Sequence, residues 1–200
     1  MDPDPSSPPL RRAVRIVALL NLAWFSVEFA IAQAIGSVAL FADSVDFLED
    51  ASINFLILVA LGWTAARRAR VGMALAGLLL VPACATLWTA WTKFTLPVPA
   101  APSALAMTAS GALALNGFCA LLLAGYRHHG GSLTRAAFLS ARNDAVANVA
   151  IVGAAVVTAW WWTSAWPDLI VGLAIAAFNA NAAHEVWTVA RTEHHAAPPD

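Results

Sequence analysis

Charge is scarce in this chain. Asp, Glu, Lys and Arg make up 12% of its 200 residues, against roughly 25% in a soluble domain, while 60% are hydrophobic. So few polar groups cannot clothe a water-soluble globule, and lipid is the solvent that such a composition requires. A cytosolic enzyme and a disordered chain are both excluded. Lys and Arg number 11 and Asp and Glu 12, a net charge of −1, so the basic footprint of a nucleic-acid binder is missing too. Cysteine occurs only twice, as Cys84 and Cys119, both inside apolar runs. That leaves no disulfide framework and no thiolate metal site, and both are expected to act as small buried hydrophobes. A cleavable signal peptide does not fit either, because no charged leader runs directly into a short apolar stretch.

What the chain does have is long apolar runs. Six segments come near the roughly 20 residues that span a bilayer as a helix, at about 14–34, 37–63, 71–92, 103–125, 137–161 and 168–189. The breaks have local causes. Gly36-Ser37 separates the first two, and Arg67, Arg68 and Arg70 end the second. Pro97, Pro99 and Pro102 follow the third, Gly130-Gly131 the fourth, and Pro167 precedes the sixth. The expected fold is an all-α membrane protein of six transmembrane helices. Residues 1–12 read as a disordered Pro-rich arm, 13–191 as the helical domain and 192–200 as a short disordered tail.

Positive charge sets the orientation. Arg11, Arg12 and Arg15 precede segment one, the three Arg follow segment two, Arg127 and Arg135 follow segment four, and Arg191 follows segment six. Lys93 stands alone on the opposite side. Both termini are therefore expected in the cytoplasm, with Trp160, Trp161, Trp162 and Trp166 as interfacial aromatics at the other face.

Against this background four acids stand out within segment two: Asp43, Asp46, Glu49 and Asp50, flanked by Val38–Phe41 and Phe55–Val59. Asp46 and Asp50 should lie near mid-membrane, where a carboxylate costs at least ~2.5 kcal/mol and marks a functional site. Being four apart, they share a helix face. Two stacked acids repel, and a helix carries such a pair mainly to hold a cation or protons. A buried hydrogen-bonded network, or a loop in water, is the competing reading. Two acids at this spacing with two more nearby weigh against both. Segment five supplies a counterpart in Asp144, with Ser140 and Asn148 four before and four after on the same face. Arg142 points elsewhere and can snorkel to the cytoplasmic interface.

The run from Gly36 to Ala51, GSVALFADSVDFLEDA, resembles the second transmembrane helix of the cation diffusion facilitator family, which typically reads GSLALLADAxHxxxDA. Asn21–Glu28, Ser132–Asn148 and Trp166–Ile170 resemble the first, fifth and sixth helices. The resemblance implies a divalent metal transporter, not an enzyme, without a cofactor, in which Asp46, Asp50 and Asp144 take the ligand positions. Ser140 stands where the family usually has His or Asp, so Ser140 and Asn148 compete for the fourth place. Asp43 matches a family position outside the ligand pair, where capping or second-layer hydrogen bonding is favoured over ligation, and Glu49, three from Asp46, could face the cavity with ligation the lesser reading. Asn21, Glu28 and Gln33 either line the pathway or bond between helices. His128 and His129 read as part of a solvated loop, and His184, His194 and His195 as incidental. By this resemblance the family's His-rich loop and its cytoplasmic C-terminal domain are the parts expected to lack a counterpart in the 200 residues.

Zinc comes first on the family's usual substrates, with manganese, iron and cobalt next, although an all-oxygen donor set suits harder ions. Carboxylates crowded in a low dielectric hold protons when no cation is present, and a divalent ion displaces them, which is the basis of metal/proton antiport. Protons are thus the expected counter-ion, the bilayer of a bacterial plasma membrane the expected setting, a homodimer an open assembly, and nucleic acid no partner. Two other classes compete. An intramembrane lipid phosphotransferase needs DGxxAR before its acids, and an aspartyl protease needs GxGD; neither motif is present. A membrane protein that binds metal without moving it stays in view.

Overall fold

A computed structural model of the chain describes residues 8–60, 84–124 and 131–180, with the backbone alone at 57, 60 and 131–140. Among these residues there are six helices and no strand. They are α1 (Pro8–Ile35), α2 (Val38–Ala60), α3 (84–95), α4 (Pro102–Ala124), α5 (Gly131–Trp160) and α6 (Trp166–Ala180). Helix α1 starts at Pro8, so residues 8–12 are helical rather than part of the arm expected from the sequence, and α5 starts at Gly131, ahead of its apolar run. The bulk of segment three, Arg67, Arg68, Arg70, Arg127, His128, His129, His184, Arg191, His194 and His195 lie outside the described residues, as does the side chain of Ser140.

Three helices are long and apolar enough to cross a membrane: α1, α4 and the Ala141–Trp160 part of α5. Helix α2 has the length, 23 residues, but its four acids break the apolar run. The outer surface is greasy: Leu121, Met107 and Val146 are 77%, 76% and 67% exposed, which is stable only against hydrocarbon. Cys119 is buried as expected, but Cys84 is exposed, because α3 turns that position outward. Both are free thiols.

The turn between α1 and α2 is only two residues long. Gly36 has φ of 61°, and the Ser37 amide donates to the Ala32 carbonyl at 3.0 Å. This is a Schellman closure, in which glycine takes the left-handed position without a Cβ clash. Ser37 then caps α2, its Oγ accepting from the Leu40 amide at 3.1 Å.

The rest of the α2 N-terminus is satisfied from a distant part of the chain. Asp168 at the start of α6 accepts from the Val38 amide at 2.9 Å, from the Ala39 amide at 3.2 Å and from the Ser37 hydroxyl at 2.6 Å. Lys93, near the end of α3, reaches the same carboxylate at 2.6 Å. Both charged side chains are buried, at 5% and 2% exposure. One carboxylate therefore joins three helices and meets the positive end of α2. Gly172, one turn on from Asp168, makes the approach possible. A Cβ there would lie 2.6 Å from the Ala39 nitrogen and 2.6 Å from the Val38 carbonyl carbon.

Helix α1 packs mainly on α2, and α4 on α5. Contacts of α2 with α5 and of α1 with α4 close the bundle. Two apolar clusters cross it. One joins Ala32, Leu40, Phe41, Leu105, Ile151 and Ile175 near the α1–α2 turn. The other joins Val17, Cys119, Leu123 and Ala141 toward the opposite end. On α1, α4 and α5 the stretches between these clusters carry polar side chains.

Breaking the Asp168 pair on one side should be costly. Asp168→Asn leaves the Lys93 ammonium buried without its counter-charge, and is expected to destabilise the detergent-solubilised protein by about 3–5 kcal/mol. The double variant Asp168→Asn/Lys93→Met should recover part of that loss in thermal unfolding. A double variant no more stable than the single one would show that the lone charge is not the source of the penalty.

Candidate functional site

The polar layer is built from four helices. Helix α1 contributes Asn21 and Glu28, α2 contributes Asp43, Asp46, Asp50 and Asn54, α4 contributes Asn116, and α5 contributes Asp144 and Asn148. Asn21, Glu28, Asp43 and Asn148 are fully buried, and Asp50, Asn54 and Asn116 nearly so. Asp46, Glu49 and Asp144 are half-buried. Helix spacing explains the column on α2. Positions 43, 46, 50 and 54 follow the i, i+3, i+7, i+11 stripe that keeps to one face.

The acids of α2 and α5 face one another. The charges of Asp46 and Asp144 interact across the two helices, and Asp144 in turn feels Asp50, Asp43 and Glu49. The three aspartates share one electrostatic neighbourhood but do not close on a common point. Among the described residues, no three of His, Cys, Asp and Glu stand close enough together to hold a metal ion.

Asn148 ties α5 to α2. Its amide nitrogen donates to Asp43 Oδ1 at 3.3 Å and to the Asp144 carbonyl at 2.9 Å. Asp43 thus takes part in a hydrogen bond between helices rather than a helix cap. Asn54 donates in the same back-bonding manner to the Asp50 carbonyl at 2.7 Å. Arg142 is exposed, as expected, with its guanidinium 3.4 Å from the Asn143 side-chain oxygen.

Some polar members of this interior were not singled out from sequence. Asn54 and Asn116 are lone amides in long apolar runs, and only their helix-face register with Asp50 or with the other polar positions could have flagged them. Lys93 was read as a loop charge on the sparse side of the membrane. As the one cation in that connection it had reason to seek an acid, and Asp168, just after Pro167, was the acid in the facing connection.

The model of the cation efflux transmembrane domain matches residues 14–189, nearly the whole chain. The chain belongs to this family. Cation efflux proteins are divalent cation transporters rather than enzymes, and they carry no cofactor, the metal being the cargo. The chain is accordingly an integral membrane protein. A comparison with curated proteins finds no match. The match begins within α1 and runs past Ala180, so every residue of the polar layer falls within the cation efflux domain.

The Asn148 amide links α5 to α2 within this layer through Asp43. Asn148→Ala leaves a buried acceptor on Asp43 without its donor, and a loss of about 1–3 kcal/mol is expected. Thermal unfolding of the purified protein would measure it. An unchanged midpoint would mean that the Asp43 contact contributes nothing to stability.

Proposed function

We propose that the chain exports a divalent cation by metal/proton antiport, with Asp46 and Asp50 of α2 and Asp144 of α5 as the anionic ligands. The observation that carries this reading is that acids from α2 and α5 share one electrostatic neighbourhood within the buried polar layer of a cation efflux domain. Carboxylates in such a place are costly unless a cation or protons offset them. Ser140 and Asn148 compete for a fourth position. Asp43 and Glu49 act around the site, not as primary ligands.

Six membrane spans with both termini in the cytoplasm complete the proposal. Its support is the Arg-rich sequence on one side and the aromatic cluster on the other. Trp160 and Trp161 are exposed where α5 ends, and Trp166 packs edge-on against Phe94 at 6.2 Å. That end also holds the α1–α2 turn, so it is the exit side. Lys93 is paired there with Asp168, which leaves the positive-inside asymmetry intact.

The three aspartates repel one another, and a divalent ion supplies the attraction that would draw α2 and α5 together on it. The ion needs deprotonated ligands, so its arrival displaces protons, and protons arriving from the other side release it. Rocking of helices about the site is the motion expected of such a transporter. Zinc heads the candidate cargoes on family grounds, then manganese, iron and cobalt. A bacterial plasma membrane is the proposed setting, and a homodimer the assembly to test.

Asp46→Ala, Asp50→Ala and Asp144→Ala should each reduce transport into proteoliposomes to background while the protein stays monodisperse. Full transport by any one of them would remove that residue from the ligand set. For coupling, vesicles loaded with metal are the test. An inward proton gradient should speed metal exit, and lowering the pH on the metal side should slow it, because protons and metal compete for the same carboxylates. Flux indifferent to both would make the protein a facilitator or channel and end the antiport reading.

A further inference from the structure

A second group of oxygens lies between the Asp46, Asp50 and Asp144 neighbourhood and the apolar cluster near the α1–α2 turn. Glu28 is fully buried on α1, and neither of its carboxylate oxygens accepts a hydrogen bond from an N–H or hydroxyl group. Its charge interacts first with Asp43 and then with Asp46. Asp43 Oδ2 is also unpartnered, and so is the side-chain oxygen of fully buried Asn148, whose nitrogen is 3.3 Å from Asp43 Oδ1. Helices α1, α2 and α5 thus bring together four oxygens that no N–H or hydroxyl reaches, with the Glu28 and Asp43 carboxyls near enough to share one proton between them. Trp24 offers an N–H beside Glu28, but it too lacks hydrogen-bond geometry. Buried polar atoms are nearly always satisfied, and one shared proton cannot serve all four oxygens, so the remainder require an account.

We propose that Glu28, Asp43 and the Asn148 side-chain oxygen form a second cation station, one helical turn toward the exit from the aspartate site. It rests on the proposed transport reading and adds a step to the route. Two carboxylates from different helices and an amide oxygen give a hard, oxygen-only set, suited to a divalent ion that keeps some of its water. Asp43 is three residues from Asp46, a rise of about 4.5 Å. Two divalent ions that close repel strongly, so the stations are filled in turn, not together. The outer one sits directly beneath the apolar cluster, where Phe29 and Phe41 pack edge to face at 5.2 Å. An ion leaving the aspartates is held there until that cluster parts. The station's anionic charge lowers the barrier for the first hop, and its smaller set of anionic ligands keeps it from trapping the ion.

The test uses the full chain and Mn²⁺ as probe, with equilibrium binding in detergent and uptake into proteoliposomes. Glu28→Gln keeps the shape and removes the charge. It should leave the tight binding component near wild type and lower transport about 10–100-fold, the range for groups that support a metal site from outside. Asp50→Ala should lose the tight component and keep a weak one, which Glu28→Gln/Asp50→Ala then lacks. Glu28→Asp, which retains a carboxylate, should keep the weak component and transport faster than Glu28→Gln, and it serves as the probe if the Gln variant fails to fold. Wild-type transport by Glu28→Gln, or a weak component that persists in the double variant, would overturn the second station. Retention of the tight component by Asp50→Ala would instead strike at Asp50 as a ligand of the aspartate site, and the Glu28 arms would still be read on their own.

Discussion

The position of α2 rests on one carboxylate. Asp168 satisfies the Val38 and Ala39 amides, anchors the Ser37 hydroxyl and neutralises Lys93, all in a space from which water is excluded. Helix N-termini carry unsatisfied donors and partial positive charge, and burying one without an acceptor is expensive. Here the acceptor comes from α6, and the surplus cation from α3 balances it. The acids of α2 lie five to twelve residues beyond that anchor, so their height in the bundle follows from it.

Around the anchor the molecule is organised as alternating apolar and polar layers. The cluster of Leu40, Phe41, Leu105 and Ile151 lies next to the turn, the acids and amides come below it, and the cluster of Val17, Cys119 and Leu123 follows. An ion-conducting interior must be polar enough to replace water around its cargo, yet sealed by greasy contacts that can separate. Gly111 shows how closely the walls are fitted. A Cβ there would stand 2.5 Å from the Trp24 ring, so the indole of α1 fills the space that a side chain at position 111 of α4 would need.

Much of this was legible in the sequence, because most of it is local. The helix count follows from apolar runs and from the punctuation at Gly36, Pro97, Pro102 and Pro167. That Asp46 and Asp50 share one face of α2, and Ser140, Asp144 and Asn148 one face of α5, follows from helix periodicity. What stayed hidden depends on residues far apart in the chain. Asp168 meets Ser37 across 131 positions and Lys93 across 75, and no spacing rule connects them. The fully buried Glu28 was visible as an acid in segment one, but its orphaned oxygens emerge only when α1 is packed against α2. The early start of α1 at Pro8 was missed because prolines were read as breakers. At the first turn of a helix proline costs nothing, since its missing N–H would have no partner there.

The two-residue turn at Gly36-Ser37 has a consequence for how the chain enters its membrane. Helix α2 carries Asp43, Asp46, Glu49 and Asp50, and an aspartate near the centre of an inserting helix costs roughly 2.5–3.5 kcal/mol. On its own, α2 is a poor candidate for partition into lipid. Helix α1 is not, and the Schellman closure leaves the two almost no freedom to separate. In the proposed six-span arrangement they enter the bilayer as a hairpin, with the apolar stripe of α1 carrying the acids of α2 until α5 covers them. The shortness of one turn thus makes biogenesis of the charged helix a property of its neighbour.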